Sequence, residues 1–131
     1  QKDYHANRSS SRVSLLGGNM TVFDFATSGQ QTIREISRIQ ADFAFVSPTA
    51  IDRQHGAVNA VEEESEVAMA MLENSRENAV LADANKFSAS GNYRYCRFDQ
   101  MDALVTDAKI RKQPDLFQSI TESVKKLIIA E

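Results

Sequence analysis

Cysteine is almost absent from this chain of 131 residues, where Cys96 stands alone. One thiol cannot close a disulfide within the chain, which excludes a cross-linked secreted scaffold and points to a reducing, cytoplasmic setting. Long apolar runs are missing too. No stretch approaches the ~18 residues that a membrane-crossing helix requires. The first residues, Gln1, Lys2, Asp3, Tyr4 and His5, lack the apolar centre of a signal peptide. Positive charge is not in excess: 15 Lys and Arg against 18 Asp and Glu leave a net charge of −3. A domain that itself grips nucleic acid carries a basic face or a strongly basic balance, so the chain as a whole is not read as a polyanion binder. There is no glycine-rich phosphate loop of the Walker or Rossmann kind, and His5 and His55 have no spacing that would hold a metal. Neither a cofactor nor a metal is expected. The chain also begins without Met, as a processed or excised piece would.

What is present is globular composition, 42% hydrophobic and 25% charged, in a length suited to one domain with one core. Residues 1–11 are polar and serine-rich, a lead-in. Residues 13–16 form the first strand candidate, stopped by Gly17 and Gly18, and residues 20–25 a weaker second one. A helix is predicted over 28–39, with Ser28 as N-cap, Gln31 completing a capping box and Ile33, Ile36 and Ile39 as its apolar stripe. Residues 43–46 are continuously apolar, the pattern of a strand covered on both faces. Residues 47–59 carry Pro48, Asp52, His55 and Gly56 and read as a long exposed loop. Asn59 then caps a second helix, with Glu62, Glu63 and Glu64 at the positive end of its dipole. Further strands are predicted at 79–82, 93–98, 103–106 and 126–130, and Pro114 opens a helix through Leu116, Phe117 and Ile120. Strands alternating with helices make the class α/β: a mostly parallel sheet with helices on both faces.

In such a sheet ligands bind beyond the carboxyl ends of the strands. Asp52 follows the 43–46 strand, Asp83, Asn85 and Lys86 follow 79–82, and Thr106 with Asp107 closes 103–106. Carboxylates beside a lysine suit a polyhydroxylated anion: carboxylates accept from sugar hydroxyls, and an ammonium meets phosphate. Each residue also has a plainer reading. An aspartate at a strand end often caps the next turn. Asp83 with Lys86 is equally an exposed ion pair worth ~0–1 kcal/mol. The 62–66 acidic run is most simply a helix start, and Cys96 a structural thiol.

Read in order, Leu15-Leu16-Gly17-Gly18, Ala41-Asp42-Phe43-Ala44-Phe45, Ile51-Asp52 with Gly56, and the helix from Glu64 to Met71 resemble the sensor domain of DeoR-family transcriptional repressors. The strongest segment is Leu81-Ala82-Asp83-Ala84-Asn85-Lys86-Phe87, similar to the family's LADxxKF signature. Asp102-Ala103-Leu104-Val105-Thr106-Asp107 follows at the expected distance. The likeness covers about residues 13–130. Some positions depart from it: Ala50 and Ser88 stand where glycine is usual, and Ala68 and Met69 replace a basic pair. The family's earlier phosphate-loop strand and Thr-Asn-Ser strand have no counterpart.

The resemblance implies a fold related to ribose-5-phosphate isomerase and the CoA-transferase sheet, here truncated at its N-terminal side, so that residues 1–131 are a partial sensor domain. It implies a phosphorylated sugar or related metabolite as effector, contacted by Asp52, Glu64, Asp83 and Lys86, with Lys86 the cationic contact. DNA would be bound only through a helix-turn-helix absent from this chain. A sheet shorn of its first strands exposes an edge and an apolar surface, so a homo-oligomer is expected. The alternative is an isomerase- or transferase-like enzyme of the same fold, with Asp83 or Glu64 as general base. A receiver-like domain is disfavoured by the lack of paired aspartates after a first strand.

Overall fold

The computed structural model describes residues 19–20 and 27–131. The strand predicted at 13–16, the Gly17 and Gly18 turn, and most of the 20–25 candidate lie outside the described residues. Strand β1 (Asn19–Met20) pairs antiparallel with β2 (Thr27–Ser28). Helix α1 follows (Gln30–Ile36), then β3 (Ala41–Val46), β4 (Ala50–Asp52), β5 (Gly56–Asn59) and α2 (Glu62–Glu73). The second half holds β6 (Ser75–Leu81), β7 (Tyr93–Cys96), β8 (Ala103–Asp107), α3 (Pro114–Ser123) and β9 (Leu127–Ala130). Short 3-10 turns occupy Ala84–Ser88, Phe98–Gln100 and Ala108–Lys112. The class is α/β, as the alternation of strands and helices predicts.

Strands β3, β6, β8 and β9 form a parallel sheet in that order. Its register lines up Val46, Val80, Leu104 and Leu127 in one row across all four strands. Val46, Val80 and Leu104 are buried in one core with Ala68 of α2, Leu116 and Ile120 of α3, Met101, Ile110, and Ile51, Ala57 and Cys96 of a smaller sheet. Burying a Leu or Ile side chain contributes about 1.5–3 kcal/mol, so this row and its cover hold the domain together. Midway along β6 and just before β8, buried Asn78 exchanges hydrogen bonds with Asp102: Asn78 N donates to Asp102 Oδ2 at 2.9 Å, and Asp102 N to Asn78 Oδ1 at 3.1 Å. Asp102, in the strand motif resembling the DeoR pattern, thus locks the register of two core strands.

The alternate row faces the other way. Each new strand of the sheet is added on the same side of the last. Right-handed crossovers therefore carry every described connection over one face. The other face is left with Phe43 at 42%, Phe45 at 59%, Leu81 at 37% and Ile128 at 37% exposure. This corrects the expectation that the 43–46 strand is covered on both faces. Among the described residues β3 is an edge strand: Ala44 and Val46 turn into the core, while the Phe43 and Phe45 rings pack on each other with centroids 4.8 Å apart. The sheet has the mostly parallel character expected of it.

Three further expectations need correction. Residues 47–59 are not an exposed loop. β4 and β5 form an antiparallel hairpin, completed into a three-stranded sheet by β7, and every residue of β5 is buried. Asn59 does not cap α2; its Oδ1 accepts from Thr49 N at 3.0 Å inside that sheet, and Val61 occupies the cap position without a side-chain bond. The first helix is shorter than predicted, starting after Gly29 at φ 95° instead of at Ser28 and ending before Ile39, which is exposed. Among the described residues no helix is long and apolar enough to cross a membrane.

Gly56 turns the β4–β5 hairpin at φ 90°, and a Cβ there would lie 2.2 Å from the Cys96 carbonyl oxygen. Gly56→Ala combines an unfavourable left-handed conformation with a backbone clash. It is expected to cost at least about 2 kcal/mol and to lower the melting temperature by roughly 5–10 °C in a thermal unfolding experiment. An unchanged melting temperature would contradict the packing of the hairpin on β7.

Candidate functional site

The carboxyl ends of β6 and β8 lie side by side, Leu81 in register with Val105, and the Ala82 N–H donates to the Val105 carbonyl at 2.9 Å. Beyond them each strand runs into a 3-10 turn opened by an aspartate. Asp83 Oδ1 accepts from Asn85 N at 2.9 Å, and Asp107 Oδ1 accepts from Lys109 N at 2.9 Å. Asp107 does more. Its second oxygen accepts from Ala84 N at 3.2 Å, so one carboxylate joins the turn after β6 to the turn after β8. Hydrogen bonds to a charged acceptor are stronger than neutral ones, and for a half-exposed group about 1 kcal/mol each is a fair magnitude. For Asp107 the turn-capping reading is therefore realised, and it shapes the rim.

Lys86 lies in the first of these turns, half-buried, with its N–H donating to the Asp83 carbonyl at 3.0 Å. The Asp83 carboxylate, exposed, bonds the Asn85 N–H in place of the Lys86 ammonium, so the simple ion-pair reading of these two residues is not realised. Packed against this turn is the Ala108–Lys112 turn, which carries Lys109, Arg111 and Lys112. Arg111 is engaged with Glu131 at 2.7 Å. A group of cations therefore flanks the rim. The residues in Ala108–Lys112 were not singled out in the sequence, although Lys109, Arg111 and Lys112 so close after a strand-ending aspartate are the signal that would have found them.

Asp52 arrives by another route than a parallel strand. It ends β4 of the small antiparallel sheet, and β4 packs against the Ala84–Ser88 turn that holds Lys86. Its Oδ1 accepts from Gln54 N at 2.8 Å, His55 N at 2.9 Å and His55 Nδ1 at 3.1 Å. The two backbone N–H groups, more than the neighbouring imidazole, hold its carboxyl below the usual aspartate value. Glu64 lies half-buried in the first turn of α2, a helix packed on β5 and β7. Asp83, Lys86 and Asp107 thus share the rim of the parallel sheet. Asp52 joins through β4, and Glu64 belongs to a separate element against the small sheet. Among the described residues no three His, Cys, Asp or Glu side chains converge as a metal site. The Cys96 thiol is buried and pushed up to about 11 by desolvation, which suits a structural residue.

Among the described residues, the buried hydroxyls of Tyr95 on β7 and Thr106 on β8 have no hydrogen-bond partner. The sequence places Thr106 at the carboxyl end of its strand, but nothing in it marks either hydroxyl as unpartnered.

A family model described as the DeoR C terminal sensor domain matches residues 3–108 of this chain. The HTH-type transcriptional repressor GlcR of Bacillus subtilis (strain 168) is 27% identical over 105 residues, which are 80% of this chain and 40% of that protein. The Glycerol-3-phosphate regulon repressor of Escherichia coli (strain K12) is 28% identical over 97 residues, 74% of this chain and 38% of that protein. The protein of the same name from Shigella flexneri matches to the same extent. The chain spans about two fifths of the length of the curated relatives it matches.

Proposed function

Because this chain belongs to the DeoR C-terminal sensor-domain family, we propose that it binds a phosphorylated sugar or polyol at the carboxyl rim of its parallel sheet, and that occupancy is relayed to a DNA-binding helix-turn-helix of the same cytoplasmic regulator. On this reading residues 1–131 are part of the sensor domain, and Asp52, Glu64, Asp83 and Lys86 are its effector contacts. The observation that carries it is the pair of joined turns, in which the Asp107 carboxylate fastens Ala84 N and Lys109 N and so sets Lys86 beside the cationic Ala108–Lys112 turn. An ammonium held on an ordered turn meets a phosphate or a sugar oxygen without first losing its freedom to solvent. One relative is named for the glycerol-3-phosphate regulon, which fits that ligand chemistry.

The enzyme reading draws on the same residues and is the weaker one. Asp83, one of the two candidate bases, spends an oxygen on the Asn85 N–H of its own turn. Such a group orients a turn well and makes a poor mobile base. The named relatives are repressors.

Self-association belongs to the proposal as well. The bare row of Phe43, Phe45, Leu81 and Ile128, with an apolar groove beside it lined by Ile36, Ile39 and Met71, is the kind of surface that a second copy covers.

Two experiments test this. Lys86→Gln removes the charge and keeps the stem. It is expected to weaken the binding of glycerol 3-phosphate or ribose 5-phosphate about ten- to a hundredfold in isothermal titration, with little change in melting temperature. Equal affinity in the variant would contradict the proposed contact. Light scattering at micromolar concentration is expected to give the mass of a dimer or larger species, and to give a monomer for Phe45→Asp; a monomeric wild type would contradict self-association.

A further inference from the structure

We propose that Thr106 is a further contact of the effector site, its hydroxyl serving a hydroxyl of a polyol or sugar ligand; this rests on the sensor reading above. Thr106 is the penultimate residue of β8, beside the aspartate that clamps the rim, and it is only 3% exposed. Its Oγ1 is buried without a hydrogen-bond partner. Leaving a hydroxyl unpaired in a protein interior is costly, and valine in the same place avoids that cost. Alternation along the strand turns Thr106 to the side of Leu104, away from Val105. That is the side on which the small sheet lies, since Leu104 shares its core with Ile51 of β4 and Ala57 of β5. The side chain therefore stands, at the carboxyl end of a central strand, on the sheet face that also carries the layer bearing Asp52 and meeting the Lys86 turn. Its register neighbour on β9 is Ile129, which offers no polar partner.

A sugar phosphate needs two kinds of contact, a cation for its phosphate and neutral or anionic groups for its hydroxyls. Lys86 and the neighbouring basic turn supply the first, and the exposed carboxylates one part of the second. Thr106 adds a neutral group that both donates and accepts, and that is shielded from water. A buried hydroxyl that waits for a ligand discriminates strongly, because a ligand lacking the matching group leaves it unpaired again.

The test compares Thr106→Val, which keeps volume and removes the hydroxyl, with Thr106→Ser, which keeps the hydroxyl. Glycerol 3-phosphate, ribose 5-phosphate and glucose 6-phosphate serve as probes in isothermal titration, alongside thermal unfolding without ligand. Thr106→Val is expected to fold with an unchanged or higher melting temperature and to bind the best probe at least tenfold more weakly, while Thr106→Ser stays within about threefold of wild type. Equal affinity for Thr106→Val, or a melting temperature lowered together with binding, would overturn the contact while leaving the sensor reading intact. A wild-type protein that binds none of the three probes would instead remove the sensor reading, and this contact with it.

Discussion

The Asp107 carboxylate, shared between the Ala84 and Lys109 N–H groups, is the constraint on which the rim depends. Parallel strands end with free carbonyls and then depart into irregular backbone, so two adjacent strand ends have no intrinsic reason to stay ordered. Here one side chain closes both departures. The turn after β6 then carries Lys86 in a fixed place, and the turn after β8 brings a basic group alongside it. Asp83 and Asp52 use the same chemistry on their own turns. Three aspartates thus convert flexible strand exits into a preorganised surface. This local order is the physical basis for reading the region as a binding edge instead of a frayed one.

A second constraint comes from topology. Strand order β3-β6-β8-β9 advances in one direction, which puts α2, α3 and the small sheet, the elements of the crossovers, on one side. Parallel sheets are ordinarily covered on both faces, and this one has Phe43, Phe45, Leu81 and Ile128 on a side with no described cover. Among the described residues the core is built on the other face. The site and the bare surface are therefore distinct: polar chemistry gathers at the strand ends, and apolar surface remains on the sheet's far side. On the proposed reading, sensing at the one and association at the other need not compete for the same residues.

Much of this was legible in the residue pattern. The apolar runs around Val80, Leu104 and Ile128 marked the strands, Pro114 the start of α3, and the aspartates the strand ends. The hairpin was not legible. Its strands have three and four residues, and Asp52, His55 and Gly56 give the segment the composition of a loop. What buries Ala57 and Val58 is β7, more than thirty residues away, which no local window contains. The exposure of Phe43 and Phe45 was hidden for a related reason, since an apolar residue reads alike whether its strand lies inside a sheet or at its edge. The order of the family motifs was clear, but the work of their aspartates was not: Asp102 pins register against Asn78, and Asp107 joins two turns. Those roles depend on which backbone amides come near, and only the fold decides that.

Amide chemical shifts followed during titration with a phosphorylated polyol such as glycerol 3-phosphate or ribose 5-phosphate address the central claim most directly. Saturable shifts concentrated at Ala84, Lys86, Asp107 and Lys109 are the predicted result. Saturable shifts confined to the far face around Phe43, Phe45 and Leu81, with the joined turns unmoved, would contradict it.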